Sequence, residues 1–209
     1  MKRRTFLASC AATLPVSGSL SGEEAIRVRI ELNPDQPELS QGTLTGDDST
    51  FPVGLGKHGI LPAGESFRGG YSLLGTFSIN AILTAERFEM TEELIRQSGK
   101  SRDWLRENLF RNMSSIDFDG DGEGGEYGEA FLGLEPTNSK ADQPFHFGEY
   151  KSVFRWYSYA IHGTQDESRI GKCVTGGCIN AGRDELGSLA ALLKLGDLVS
   201  ITASGAAPQ

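Results

Sequence analysis

A chain of 209 residues accommodates one domain with a full hydrophobic core and is too short for two large ones. A formal charge of −8 argues against non-specific attraction to nucleic acid or to an anionic membrane surface. Twenty-seven glycines and the lack of a long apolar run argue against a helical bundle and a membrane-spanning mature chain, and favour a turn-rich, mainly β fold.

Residues 1–22 read as an export signal. Lys2, Arg3 and Arg4 precede Phe6-Leu7 and a mildly apolar segment that runs to about Leu20, as in twin-arginine signals. Leu7 to Cys10 also resembles a lipoprotein cleavage box, but fewer apolar residues precede Cys10 than the roughly 7 to 15 of a signal core. The expected location is therefore the periplasm or cell envelope. Three cysteines make no disulfide framework.

Residues 23–209 are expected to form one catalytic-sized domain. Ile26 to Ile30 alternates apolar and arginine residues, the pattern of a half-buried strand. Pro34, Pro37 and the Gly42 to Asp48 region then predict a loop or an irregular hairpin. Phe51 to Gly56 resumes an extended segment. Gly75 to Leu83 is the next strand, with Phe77, Ile79 and Ala81 on one face. Between Glu86 and Met113 the spacing of Met90, Leu94, Trp104, Leu105 and Leu109 predicts two short helices split near Ser98-Gly99 and capped by Thr91 and Ser101. They belong to a helical and acidic insertion over residues 86–126, packed on the sheet or closing over a cleft.

The acidic part of that insertion places Asp117, Asp119 and Asp121 before Gly122, the first half of a calcium loop in which alternate carboxylates converge. Its second half departs from the pattern, since Gly128 stands where a bidentate glutamate belongs and only Glu126 or Glu129 offers a replacement. A structural calcium ion and a solvated acidic turn both remain open; no other cofactor is called for. Downstream, Tyr127 to Leu134 is strand-like. Val153 to His162 reads as one long strand with Phe154, Trp156, Ser158, Ala160 and His162 on one face, Trp156 being a candidate for the floor of a cleft. Arg183 to Lys194 carries Leu186, Leu189 and Leu193 on one helical face with Gly196 as its stop, and Leu198 to Thr202 is a final strand.

Chemistry concentrates in Ile161 to Asn180, which holds one of three histidines and two of three cysteines. Cys178 follows Gly176 and Gly177, so its thiol can attack a carbonyl while backbone N–H groups hold the resulting oxyanion. His162 offers a base. A zinc site on Cys173, Cys178, His146 and His162 lacks ordinary ligand spacing. A Cys173–Cys178 disulfide is disfavoured if the five-residue separation is extended.

The order His162-Gly163-Thr164, Ile170-Gly171, then Thr175-Gly176-Gly177-Cys178-Ile179-Asn180 resembles the signature of the L,D-transpeptidase catalytic domain, the YkuD family. Phe51 to Lys57 and Leu74 to Ile79 resemble two further family strands, joined here by a longer connection over Ile60 to Ser72. Gly176 stands where the family usually has a second histidine. The resemblance implies a β-sandwich or barrel with a helical insertion and a C-terminal helix. It further implies acyl transfer from a peptidoglycan stem tetrapeptide to an amine. Cys178 would be the nucleophile and His162 the base, with Gly176, Gly177, Thr175 and Asn180 shaping the oxyanion loop. The partner is then the stem peptide, and the oligomeric state is not legible. The competing reading is a secreted, calcium-stabilised module that binds peptidoglycan without turnover.

Overall fold

The computed structural model describes residues 25–46, 49–112, 125, 127–138, 146–150 and 153–204. The export signal and Asp117, Asp119 and Asp121 lie outside the described residues, as does the side chain of Trp156. The fold is mainly β, as the composition and the resemblance predicted. It is built on strands β1 (Ile26–Leu32), β2 (Gln41–Leu44), β3 (Thr50–Gly56), β4 (Ile60–Leu61), β5 (Ser72–Leu73), β6 (Gly75–Leu83), β7 (Phe88–Met90), β8 (Phe131–Pro136), β9 (His146–Tyr150), β10 (Val153–Tyr157), β11 (Tyr159–His162), β12 (Cys173–Thr175), β13 (Ile179–Ala181) and β14 (Leu198–Ala203). Among the described residues three α-helices join them: α1 (Glu92–Ser98), α2 (Arg102–Asn112) and α3 (Arg183–Leu192).

Strands run in the order β3-β13-β11-β8-β6-β14-β1-β2, and β2 pairs back onto β3, so the sheet closes into an eight-stranded barrel. Closure removes the free edges that an open sheet of this length would expose. β12 and β7 attach to the barrel through β3 and β6. Alternation in β1 explains how the inside forms: Val28, Ile30 and Leu32 are buried while Arg27, Arg29 and Glu31 face out. Phe77, Ile79, Leu132, Leu134, Tyr159, Ile161, Ile179, Val199 and Ile201 fill the same interior, and α3 adds Leu186 and Leu189 to it. Each such side chain contributes about 1.5–3 kcal/mol by leaving water.

A second apolar layer lies on the outer barrel face and comprises Ala81, Leu83, Met90, Leu94, Leu105, Phe131 and Ala160. The helical insertion supplies its cover. Thr91 Oγ1 accepts from Leu94 N–H and Ser101 Oγ from Trp104 N–H, so both predicted caps form. Met90, however, ends β7 rather than opening a helix.

Two predicted strands differ in a way that matters for the site. A bulge between Ile79 and Ala81 breaks the even alternation of β6, so Phe77, Ile79 and Ile82 face inward while Ala81 and Leu83 join the outer layer. The run from Val153 to His162 is likewise two strands, because Ser158 interrupts it. β10 forms a separate hairpin with β9, and Phe154 packs edge-on against Trp104 of α2 at 5.2 Å. Only β11 enters the barrel. Tyr127 to Glu129 is a turn rather than the start of β8.

Candidate active site

The site is assembled by β11, β13 and the loop that leads into β13. These strands pair in parallel, Ile161 against Ile179 and His162 against Asn180. The register sets Cys178, one residue before β13, beside Ala160, two positions from His162. Alternation then gives Ala160 and His162 the same face. All three residues meet the outer layer: Ala160 is part of it, Cys178 packs against it, and His162 lies against Tyr127 and Phe131 at ring distances of 4.4 and 6.2 Å.

His162 is buried, and its Nδ1 lies 2.7 Å from the Gly163 carbonyl oxygen. A carbonyl only accepts, so Nδ1 carries the proton and Nε2 keeps its lone pair. Burial pushes the imidazole down to about 4, the Gly163 carbonyl opposes that, and the charge of Arg169 adds to it. The ring is therefore neutral at pH 7 in the tautomer that a general base needs. Asn180 fixes the acceptor: its Nδ2 donates to the Gly163 carbonyl at 3.1 Å and to the His162 carbonyl at 3.4 Å. Its buried Oδ1 has no partner among the described residues.

Cys178 is half-buried, and its S–H is directed at the Ser158 carbonyl 3.6 Å away. Burial pushes the thiol up to about 11, partly offset by the Ala160 N–H. No hydrogen bond joins Sγ to the His162 ring among the described residues. At pH 7 the resting state thus holds a neutral thiol and a neutral imidazole.

The loop before Cys178 is tied tightly. Thr175 Oγ1 donates to the Cys178 carbonyl at 2.6 Å and accepts from Gly177 N–H at 3.1 Å. The Gly177 N–H is thereby engaged inside the loop. Gly177 has φ +131°, and a Cβ there would come within 2.8 Å of the Tyr71 carbonyl, so the position requires glycine. At Gly176 a Cβ meets nothing within 4 Å, so its lack of a side chain is not forced by space. Cys173 and Cys178 are both free thiols, with no disulfide between them. Glu129, one substitute in the calcium reading, is held 2.8 Å from Arg183 in an ion pair. No cluster suited to a metal ion occurs among the described residues.

Sequence reasoning missed several members of the site. Ser72 is the most consequential: its Oγ accepts from Gly56 N–H at 2.9 Å and donates to the Gly177 carbonyl at 2.7 Å. Gly70 N–H donates to the Gly176 carbonyl at 2.6 Å. The only sequence signal for either was the unusual length of the Ile60 to Ser72 connection.

Solved structures similar to this chain include L,D-transpeptidase 3 from Mycobacterium tuberculosis with a faropenem-derived adduct, at TM-score 0.41 and 12% identity over 84% of this chain and 60% of that one. An L,D-transpeptidase from Mycobacterium smegmatis follows at TM-score 0.38 and 15% identity over 84% and 58%. LdtMt1 in complex with imipenem gives TM-score 0.36 and 12% identity over 84% and 58%. The chain thus spans about three fifths of the length of these structures. No curated protein matches it. The model of the L,D-transpeptidase catalytic domain, YkuD, matches residues 30–201, which reaches from within β1 to within β14 and takes in the whole of the Cys178 loop, and the chain belongs to that family.

Proposed function

We propose that this protein is an exported peptidoglycan L,D-transpeptidase with Cys178 as nucleophile and His162 as base. Membership of a family that acts on peptidoglycan supplies the substrate class. The observation that carries the catalytic reading is the neutral His162, whose Nδ1–H is held by Gly163 so that Nε2 is left free beside the strand that follows Cys178.

In this reading Sγ attacks the carbonyl preceding the terminal D-alanine of a stem tetrapeptide, and the thiol proton passes to Nε2 of His162. The tetrahedral oxyanion is met by backbone N–H groups of Cys178 and Gly176, with the Gly177 N–H committed to Thr175. The C–N bond breaks, His162 returns the proton to the leaving amine, and D-alanine departs from a thioester. An amine on a second stem then attacks the thioester, gives its proton to His162 and restores the thiol as a crosslink forms. Thr175 and Asn180 are positioning residues: one closes the nucleophile loop, the other orients the Gly163 carbonyl that sets the histidine tautomer. The twin-arginine-like residues 1–22 support export, and among the described residues no helix is long and apolar enough to cross a membrane.

The test is intact-mass spectrometry after incubation with imipenem, the ligand seen with LdtMt1, together with D-alanine release from stem tetrapeptides. Wild type is expected to gain one drug mass and to release D-alanine, and Cys178→Ala to do neither. Peptidoglycan binding with neither adduct nor release would instead establish the non-catalytic wall-binding reading.

A further inference from the structure

The connection between β3 and β6 forms a strap over the nucleophile loop. β4 pairs in parallel with β5 and ties its base together. Above that base the strap is fastened to the loop itself by Gly70 N–H to the Gly176 carbonyl and by Ser72 Oγ to the Gly177 carbonyl. Phe67 lies where a Cβ on Gly177 would come within about 3.0 Å of its ring, and its ring stands 6.4 Å from that of Tyr159. Residues 67–71 are thus held one or two residues from groups that touch the Cys178 loop.

The strap presents two cationic side chains, Lys57 and Arg68, against a single acid. Lys57, His58 and Arg68 are exposed in a chain whose overall charge is −8. The one acid between Lys57 and Ser72 is Glu65, which lines a separate cleft of about 260 Å³ with Leu74 and Pro136. Arg68 is ordered by Tyr71: its guanidinium carbon stands 5.2 Å from the ring centroid, while His58 packs 5.4 Å from the same ring. Stacking holds the guanidinium without occupying its N–H fork, and no acidic partner for Arg68 occurs among the described residues. A stacked arginine with a free fork is suited to bidentate capture of a carboxylate.

We propose that the strap is a specificity element that binds a free carboxylate of the acyl-donor stem peptide, with Arg68 as the principal contact and Lys57 adding charge. This rests on the transpeptidase reading, and it names which feature of the donor is recognised. Carboxylates of the stem's second-position glutamate and of its diamino acid share the same chemistry. Because the strap is bonded to residues 176 and 177, a peptide held by Arg68 also bears on the loop that orients the thiol.

The experiment measures D-alanine release by wild type and Arg68→Ala with three tetrapeptides: both carboxylates free, glutamate amidated, and diamino acid amidated. Arg68→Ala is expected to raise KM about tenfold for the fully free donor with kcat changed less than about twofold, the size of one lost charge-assisted hydrogen bond. Amidating the recognised carboxylate is expected to raise the wild-type KM similarly and to erase the difference between wild type and variant, which identifies that carboxylate. Arg68→Lys should recover part of the loss. An unchanged KM for all three donors, or a loss in Arg68→Ala that neither amidation erases, overturns the proposal. The same comparison made as tetrapeptide affinity in a Cys178→Ala background reads the strap without turnover. A failure of catalysis and a failure of carboxylate recognition therefore give different results. Alkylation of Cys178 by iodoacetamide at the wild-type rate in Arg68→Ala shows that the thiol loop remains intact.

Discussion

The burial of His162 makes a quantitative claim about pH and stability. Its folded-state value of about 4 lies below the 6.5 of a free imidazole, and the difference corresponds to about 3 kcal/mol. The sign follows from proton counting. Between those two values the unfolded chain binds a proton that the folded chain refuses, so stability rises with pH through the window. The stabilisation is fully present above pH 6.5, is lost as pH falls towards 4, and changes no further below it. Carboxylates also titrate here, so the informative quantity is a difference between proteins. Urea unfolding of wild type and His162→Gln, in which Gln can still donate to the Gly163 carbonyl, should show wild type losing about 3 kcal/mol more between pH 7.5 and 4. Parallel stability curves would refute a buried, neutral His162 and with it the tautomer argument.

Three further outcomes follow from the loop geometry. Gly176→Ala should alter stability by less than about 0.5 kcal/mol because its Cβ enters open space, whereas Gly177→Ala should cost about 2–3 kcal/mol from the positive φ and the contact with Tyr71, both read by urea denaturation. Ser72→Ala leaves the Gly56 N–H and the Gly177 carbonyl unpaired at about 1–3 kcal/mol each, and should slow imipenem acylation of Cys178 in stopped-flow traces. Alkylation of Cys178 by iodoacetamide, followed by mass, should rise close to tenfold per pH unit from pH 6 to 9.5, because the thiol sits near 11; a plateau beginning below pH 8 would contradict that.

Much of this was legible from local pattern. Ile26 to Leu32 alternates cleanly because one face of β1 meets water, and the caps at Thr91 and Ser101 act through neighbours three residues away. The Cys178 and His162 positions were visible because they are rare residues set among glycines. What stayed hidden depends on distant partners. The bulge in β6 arises where Asn80 enters the outer face above Gly133, its Oδ1 lying 2.4 Å from where a Cβ on Gly133 would stand. Sequence periodicity has no way to signal that accommodation. The break at Ser158 was equally silent, since Val153 to His162 is uniformly β-prone and only tertiary pairing assigns its halves to different sheets. Ser72 lies 105 residues from the carbonyl it holds.

Placing the thiol between the barrel wall and the outer layer has a consequence for how such a site works. Burial raises the thiol and lowers the imidazole together, so both effects oppose the thiolate–imidazolium pair. An active pair in the resting state would have to overcome that joint desolvation. The protein instead directs the S–H to the Ser158 carbonyl and leaves Nε2 unprotonated. In the proposed mechanism, charge separation becomes favourable only when a bound carbonyl accepts the electron pair from sulfur and backbone N–H groups receive the oxyanion. In that mechanism selectivity falls to whatever seats the carbonyl, the role we propose for the strap bonded to residues 176 and 177.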